Sequence, residues 1–286
     1  MKKYVILGHK NPDVDSIVSG YLLEKLLRFN GYDVSFVIPD DKISEETYKI
    51  LSKFSLNPNK FMRKLDDSDN NFILVDHSER DVKRIVAVID HHPNIVGNND
   101  VNYYLNTKSS STACLITKFN CNNNFTKYDY ELMVLATMID TASFHSTKSV
   151  ISDLDYIKDI CSKYDIDYDV LYNEGLVLSD ISDLDKAKLN GLKEYFCDGI
   201  KLESSFLHID SFDKRKDSIL EIIELLKEYC NIKNIEHFIF VVHDMNLFKT
   251  RVYDINKNNV YMEEYSKYSS RGDKIIPDMF KKILKK

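Results

Sequence analysis

Three short apolar runs, YVILG at residues 4–8, FILV at 72–75 and IVAVI at 85–89, each stop abruptly on aspartate and histidine. Runs of large and β-branched residues bounded by polar clusters read as buried strands. Between them lie helical patterns. SIVSGYLLEKLLRFNG places Ile17, Val18, Tyr21, Leu22, Leu26 and Leu27 on one stripe, with Gly31 where a helix ends. Strands that alternate with helices predict an α/β fold with a mostly parallel sheet and flanking helices. Ligands of open parallel sheets bind at the carboxyl edge of the strands. At that edge this chain delivers His9, Asp13 and Asp15 from the first run, Asp76-His77-Ser78-Glu79 from the second and Asp90-His91-His92 from the third. Neighbouring strands would bring them into one cleft.

The same order continues through a strand in DVSFVIPD and a helix across residues 43–54, and from about residue 109 the chain reads as helical. A second unit follows, with strand-like GIKLESSFLHID, a helix at 215–231, strand-like HFIFVVHDMN and TRVYDIN, and a final helix in PDMFKKILKK. The expected division is a first domain at 1–182, a charged linker at 183–194 and a smaller α/β domain at 195–286. The Asn-rich CNNNF and INKNNV are expected loops.

Carboxylates crowded together repel unless a cation neutralises them. Asp140, inside the apolar helical run LMVLATMIDTASF, adds a fourth acid that needs a partner. Aspartate oxygens with a few imidazoles and no thiolate suit Mn²⁺ or a similar divalent ion. Two such ions carry four positive charges, and Asp13, Asp15, Asp76 and Asp140 carry four negative ones. Each piece also has a plain alternative. NPDVDS alone reads as a turn that caps a helix through Ser16, His-His pairs are often surface residues, and Asp76 and Asp90 after strands are possible caps. The metal reading prevails because every instance lies at the end of a buried-looking strand or in an apolar helix, within one half of the chain.

The net charge of −6 argues against nucleic-acid binding by bulk electrostatics. Five scattered cysteines without a CxxC pair argue against a disulfide framework or thiolate zinc site and for a reducing compartment. The amino-terminal apolar run is too short for a signal peptide, and no stretch reaches membrane-spanning length, so a cytoplasmic location and no membrane partner are expected. Neither GxxxxGK[ST] nor GxGxxG occurs.

GHKNPDVDS, VDHSE and DHHPN, followed in order by SSTACLI, ATMIDTASFHS, GIKLE and SSRGDKIIP, resemble the signature segments of the DHH phosphoesterase superfamily and, within it, of the manganese-dependent (family II) inorganic pyrophosphatases. The resemblance implies a DHH domain carrying the metals and a DHHA2-like C-terminal domain that closes over substrate. It implies His9 and Asp13 on one metal, Asp15 on the other, Asp76 bridging both, and His91 and Asp140 completing the second. His92 would face the substrate and help protonate the leaving phosphate, and a metal-bridging hydroxide would be the nucleophile. Two Mn²⁺ or Co²⁺ per site, Mg²⁺ entering with pyrophosphate, phosphate-holding Lys201 and Arg271, and a homodimer through the N-terminal domain are implied in the same way. The need for cations opposite a tetra-anionic substrate supports the basic pair independently.

Two positions depart from the pattern. Gly272 follows Arg271 where the family has a lysine, with Lys274 close by as a candidate replacement, and Ser78 stands where the family has an asparagine. The reading is two-metal hydrolysis of inorganic pyrophosphate to two phosphates. The alternatives are a short-chain exopolyphosphatase, another DHH-type phosphoesterase with altered preference, or a non-catalytic metal-binding regulator. His77 is expected behind the ligands, His145 near the cleft or at the surface, and His208, His237, His243 and Cys114 as structural residues.

Overall fold

A computed structural model describes residues 2–39, 43–66, 71–78, 80–92, 101–120, 124–256 and 259–285. The chain forms two compact units, residues 1–144 with 148–176, and residues 145–147 with 177–286.

The first unit runs β1 (Lys3–Leu7), α1 (Val14–Phe29), β2 (Asp33–Val37), α2 (Glu45–Lys53), β3 (Phe72–Val75), β4 (Ile85–Asp90), β5 (Tyr103–Asn106), α3 (Thr112–Lys118), α4 (Lys127–Asp140), α5 (Ile151–Tyr164) and α6 (Tyr168–Gly175). Its sheet has the order β2-β1-β3-β4-β5, and every described pair is parallel. β1, β3 and β4 are therefore neighbours, with Leu7 opposite Leu74 and Leu74 opposite Val88. Val5, Leu7, Leu74 and Val88 are fully buried, as strands in a sheet covered on both faces must be. The parallel α/β architecture expected from the alternating pattern is the one observed. β5 carries only weak strand signal, YYLN, and the chain adds it at the edge of the sheet.

α1 begins at Val14, two residues before the expected start at Ser16, and its cap is Asp13 and not Ser16. Asp13 accepts from the Ser16 N–H, at 3.0 Å. Gly31, at φ +82°, follows the C-cap Asn30. The helix is buried almost all round at its start because it packs on β2 and also on α3 and α4. Toward its end the stripe loosens: Leu26 and Leu27 are only half-buried.

The second unit holds α7 (Leu184–Ala187), β6 (Lys193–Cys197), β7 (Ile200–Ile209), α8 (Lys216–Lys233), β8 (Phe238–Asp244), β9 (Lys249–Ile255), β10 (Val260–Tyr265) and α9 (Ile276–Ile283), the last preceded by a π-helical turn at Arg271–Ile275. Its sheet, ordered β10-β9-β8-β7-β6, is parallel only between β7 and β8. α8 contributes Ile222 and Leu226 to a core with Leu207, Phe238 and Phe240. α9 contributes Ile276 and Met279 to another with Leu202, Ile239 and Val241. Alternate strand residues thus face different helices. Residues 183–194, expected as a linker, carry α7 and the start of β6. No helix among the described residues is long and apolar enough to cross a membrane.

Candidate metal centre

β1 hands the chain to Gly8 and His9, and the missing side chain at Gly8 leaves room for Ser16 Oγ, which a Cβ there would meet at 2.3 Å. That hydroxyl instead accepts the His9 N–H at 3.1 Å. His9 Nδ1 donates to the Lys10 carbonyl, 2.8 Å away, so the acceptor nitrogen Nε2 faces the acceptor oxygens Asp13 Oδ2 and Asp76 Oδ2 at 3.4 and 3.6 Å with no proton between them. Asp13 therefore does two things, capping α1 with Oδ1 and facing His9 with Oδ2. Asp15, two residues on, is buried against the start of α3, where its carboxylate accepts from the Thr112 and Ala113 N–H groups at 2.7 and 3.0 Å.

Asp76 follows β3 directly in a left-handed backbone, φ +64°, a conformation that aspartate tolerates better than most residues. It is buried, accepts from the Thr112 hydroxyl at 3.1 Å, and turns Oδ1 toward His91 Nε2 at 3.5 Å. His91 follows β4. Its Nδ1 donates to the Ser109 carbonyl at 2.8 Å, and its Nε2 lies 3.5–3.8 Å from Asp15, Asp76 and Asp140. Asp140 closes the group from the last residue of α4.

Three sets, His9-Asp13-Asp76, Asp15-His91-Asp140 and Asp76-His91-His92, each bring one ligand atom per residue within 4.8 Å of the others. His91 Nε2 and Asp140 Oδ2 are buried without a hydrogen-bond partner among the described residues. An imidazole lone pair held against three carboxylates, with its other nitrogen tied to a carbonyl, fits a divalent cation far better than it fits a hydrogen-bonded core. The electrostatics agree. Burial pushes the Asp76 carboxyl well above its ordinary value, and the charges of Asp15, Asp13 and Asp140 push further. Burial also raises Asp15, against the partial relief of His91.

His92 is held differently. Its backbone N–H and its Nδ1 both bond Asp90 Oδ1, at 3.1 and 2.8 Å, so Nε2 is the nitrogen left for other partners. Burial would raise Asp90, but these His92 bonds outweigh it and keep the carboxyl below its usual value. Asp90 thus orients His92. His77 bonds the Val75 carbonyl through Nδ1, and burial lowers its ring to about 4. Glu79 lies outside the described residues, as do Pro93 and Asn94 of the DHHPN segment. Cys114 is buried, and burial raises its thiol, as a packing role requires.

Lys148 gave no signal in the sequence, yet its Nζ lies 2.8 Å from Asp140 Oδ1. Ser109 was equally silent, and Thr112 lies in the SSTACLI segment but had no role of its own there, because a carbonyl or hydroxyl that supports another side chain leaves no spacing pattern.

In the second unit the structure does not bring the expected basic residues together. Lys201 Nζ is paired with Glu194 and Glu203, at 2.6 and 3.0 Å, and Glu203 accepts from the Tyr229 hydroxyl of α8. Arg271 Nη1 donates to the carbonyls of Gly191 and Ser204, at 2.6 and 3.0 Å, with its guanidinium over the Phe206 ring. Lys201 and Ser204 are an odd number of residues apart on β7, so they face opposite sides of the sheet. Register pairs Lys193 with Ser204 across β6 and β7, which puts Lys193 on Arg271's side. Lys274 is bound to Asp278 at 3.0 Å. His145 stacks on Phe248 with ring centroids 3.8 Å apart, while His208 bonds Tyr268, His237 bonds Asp254 and His243 bonds Thr250.

Residues 3–142 match the family described as DHH family, N-terminal domain. The chain is 29% identical over 264 residues to a Bacillus cereus (strain 03BB102) protein named "Probable manganese-dependent inorganic pyrophosphatase", covering 86% of this chain and 83% of the relative. A Listeria innocua protein of the same name is 26% identical over 254 residues, covering 85% and 82%. Among solved structures, a Methanococcus jannaschii "putative family II inorganic pyrophosphatase" superposes with a TM-score of 0.70 at 21% identity, covering 96% of this chain and 97% of that one. An exopolyphosphatase-related protein from Bacteroides fragilis superposes at 0.53 and 18%, covering 100% and 94%. These two structural likenesses establish the fold.

Proposed function

We propose, for a chain whose residues 3–142 belong to the DHH family, that it is a metal-dependent hydrolase cleaving inorganic pyrophosphate into two phosphates. The observation that carries the proposal is His91, a buried imidazole with Nδ1 committed to a carbonyl and Nε2 turned on three carboxylates. The names of relatives aligned over most of the chain support Mn²⁺ and pyrophosphate in particular.

His9 and Asp13 would hold one cation, Asp15, His91 and Asp140 the other, and Asp76 would serve both. Two such cations would polarise phosphoryl oxygens and supply a nucleophile at neutral pH by lowering the pKa of water. The chain's own residues do the rest. Asp90 fixes the His92 ring, leaving Nε2 to carry the proton that the departing phosphate needs. Thr112 and the start of α3 hold Asp76 and Asp15 in place. Arg271, preset by two carbonyls and an aromatic face, and Lys193 on the same side of its sheet would bind phosphate oxygens, with a planar guanidinium suited to them. Mg²⁺ would enter with the substrate.

Metal-stripped protein given Mn²⁺, Co²⁺, Mg²⁺ or Zn²⁺ should release phosphate fastest from pyrophosphate with Mn²⁺ or Co²⁺. Triphosphate, longer polyphosphate and a small phosphodiester, offered in parallel, should lag. A preference for longer chains would make the protein an exopolyphosphatase. Tight metal binding without turnover would make it a non-catalytic metal-binding protein.

A further inference from the structure

The segment between β5 and α3, Ser109-Ser110-Ser111, is fully buried, and its placement depends on a residue of α5. Asp153 Oδ2 accepts from the Ser109 hydroxyl at 2.9 Å and from the Ser110 N–H, while Oδ1 is paired with Lys118 Nζ at the end of α3. Ser110 Oγ in turn accepts from the Val150 N–H at 2.9 Å, where α5 begins. Asp153 is itself 1% exposed.

Two ligand residues hang on this segment. The Ser109 carbonyl receives the His91 Nδ1–H and so sets the direction of Nε2. Three and four residues on, the N–H groups of Thr112 and Ala113 hold both oxygens of Asp15. We infer that Asp153 is a positioning residue for the metal centre, fixing His91 through Ser109 and Asp15 through the start of α3. The inference rests on the two-metal reading above.

Burial would raise the Asp153 carboxyl, but the bonds from Lys118, Ser110 and Ser109 outweigh it and hold it ionised. A carboxylate suits the post because it accepts on every side, with three donors converging on it. Asparagine would turn an amide N–H₂ toward one of those donors, and the serine segment would have to shift. Partners behind a metal ligand orient it as strictly as the ligand orients the ion.

The test is Mn²⁺ affinity, by electron paramagnetic resonance titration, together with the visible spectrum of bound Co²⁺, in full-length wild type, Asp153→Asn and Ser109→Ala. Asp153→Asn should bind Mn²⁺ roughly ten- to a hundredfold more weakly and shift the Co²⁺ bands, because the ligand field changes when His91 and Asp15 are re-aimed. Ser109→Ala keeps the carbonyl but loses one anchor. It should shift the bands in the same direction with a smaller loss of affinity, and it serves if Asp153→Asn does not fold. Either folded variant with wild-type affinity and a wild-type spectrum overturns the inference. Wild type that fails to bind Mn²⁺ removes the two-metal reading and this inference with it, an outcome recognised in the control alone.

Discussion

Asp76→Asn should make the metal-free protein more stable and the Mn²⁺-loaded protein less so. Asp76 is buried, and a ligand oxygen of Asp13 lies within 4.8 Å of one of its own. Two unit charges at that separation repel by about 3.5 kcal/mol at an effective dielectric near 20. The wild type relieves part of this by taking up protons, so the net gain on neutralisation is about 1–3 kcal/mol, or roughly 3–8 °C in Tm. The replacement fits. Asparagine accepts φ +64°, its oxygen keeps the Thr112 donor, and its N–H₂ meets His9 Nε2, an acceptor because Nδ1 donates to Lys10.

The pH dependence has a definite sign. A carboxyl raised in the folded state contributes stability at low pH that is lost as pH rises through its folded pKa. The advantage of Asp76→Asn in EDTA should therefore shrink as pH falls, since burial first and the neighbouring acidic charges after it raise the Asp76 carboxyl in wild type. With Mn²⁺ at a thousand times its Kd, wild type gains about 4.1 kcal/mol. Loss of one ligand charge should weaken binding by about a hundredfold or more, since each factor of ten is about 1.4 kcal/mol. The order of melting temperatures should thus invert when Mn²⁺ replaces EDTA. Scanning calorimetry reads all of this, and a variant that melts below wild type in EDTA at pH 8 refutes the argument from charge crowding.

Asp90→Ala should cut pyrophosphate turnover by roughly a hundredfold or more, the scale of general-acid catalysis, because the His92 ring loses the acceptor that fixes it. Mn²⁺ affinity, measured alongside, should change far less. Gly272→Lys should fold normally, since a Cβ there meets nothing within 4 Å and the backbone is not left-handed, and it should lower the KM for pyrophosphate by restoring a cation beside Arg271. An unchanged KM would show that the chain has no use for that charge. Gly20→Val should destabilise by about 1–3 kcal/mol through overpacking, because a Cβ at Gly20 would lie 2.2 Å from the Phe36 ring. Urea denaturation monitored by circular dichroism checks it.

The strands that carry the candidate metal centre were legible because both their burial and their interruption are written locally. An apolar run that ends in Asp or His announces a strand and what it delivers. β5, β6 and β10 were not legible. YYLN, KEYFC and VYMEEY are short, half-exposed edge strands without a clear apolar run to mark them, although β6 and β10 pair with the strands next to them in the chain. Among the basic residues, GIKLE drew attention to Lys201, but which face of a strand a lysine occupies follows from its register against other strands. Register turned Lys201 toward Glu194 and Glu203 and left Lys193 on the side of Arg271.

The sequence by itself determined the parallel α/β fold of the first unit and singled out His9, Asp13, Asp15, Asp76, His91, His92 and Asp140 as candidates. Hydrophobic runs and turn residues act over a few positions, and those are the distances at which a sequence can be read. Tertiary structure alone decided the rest: that His91 turns Nε2 and not Nδ1 on the carboxylates, that Asp90 holds the His92 ring, that Lys148 reaches Asp140, and that Asp153 holds Ser109. These contacts join residues from 2 to 44 positions apart. Their directions depend on which carbonyl or hydroxyl the packed fold sets beside each ring, and no local pattern of residues encodes that.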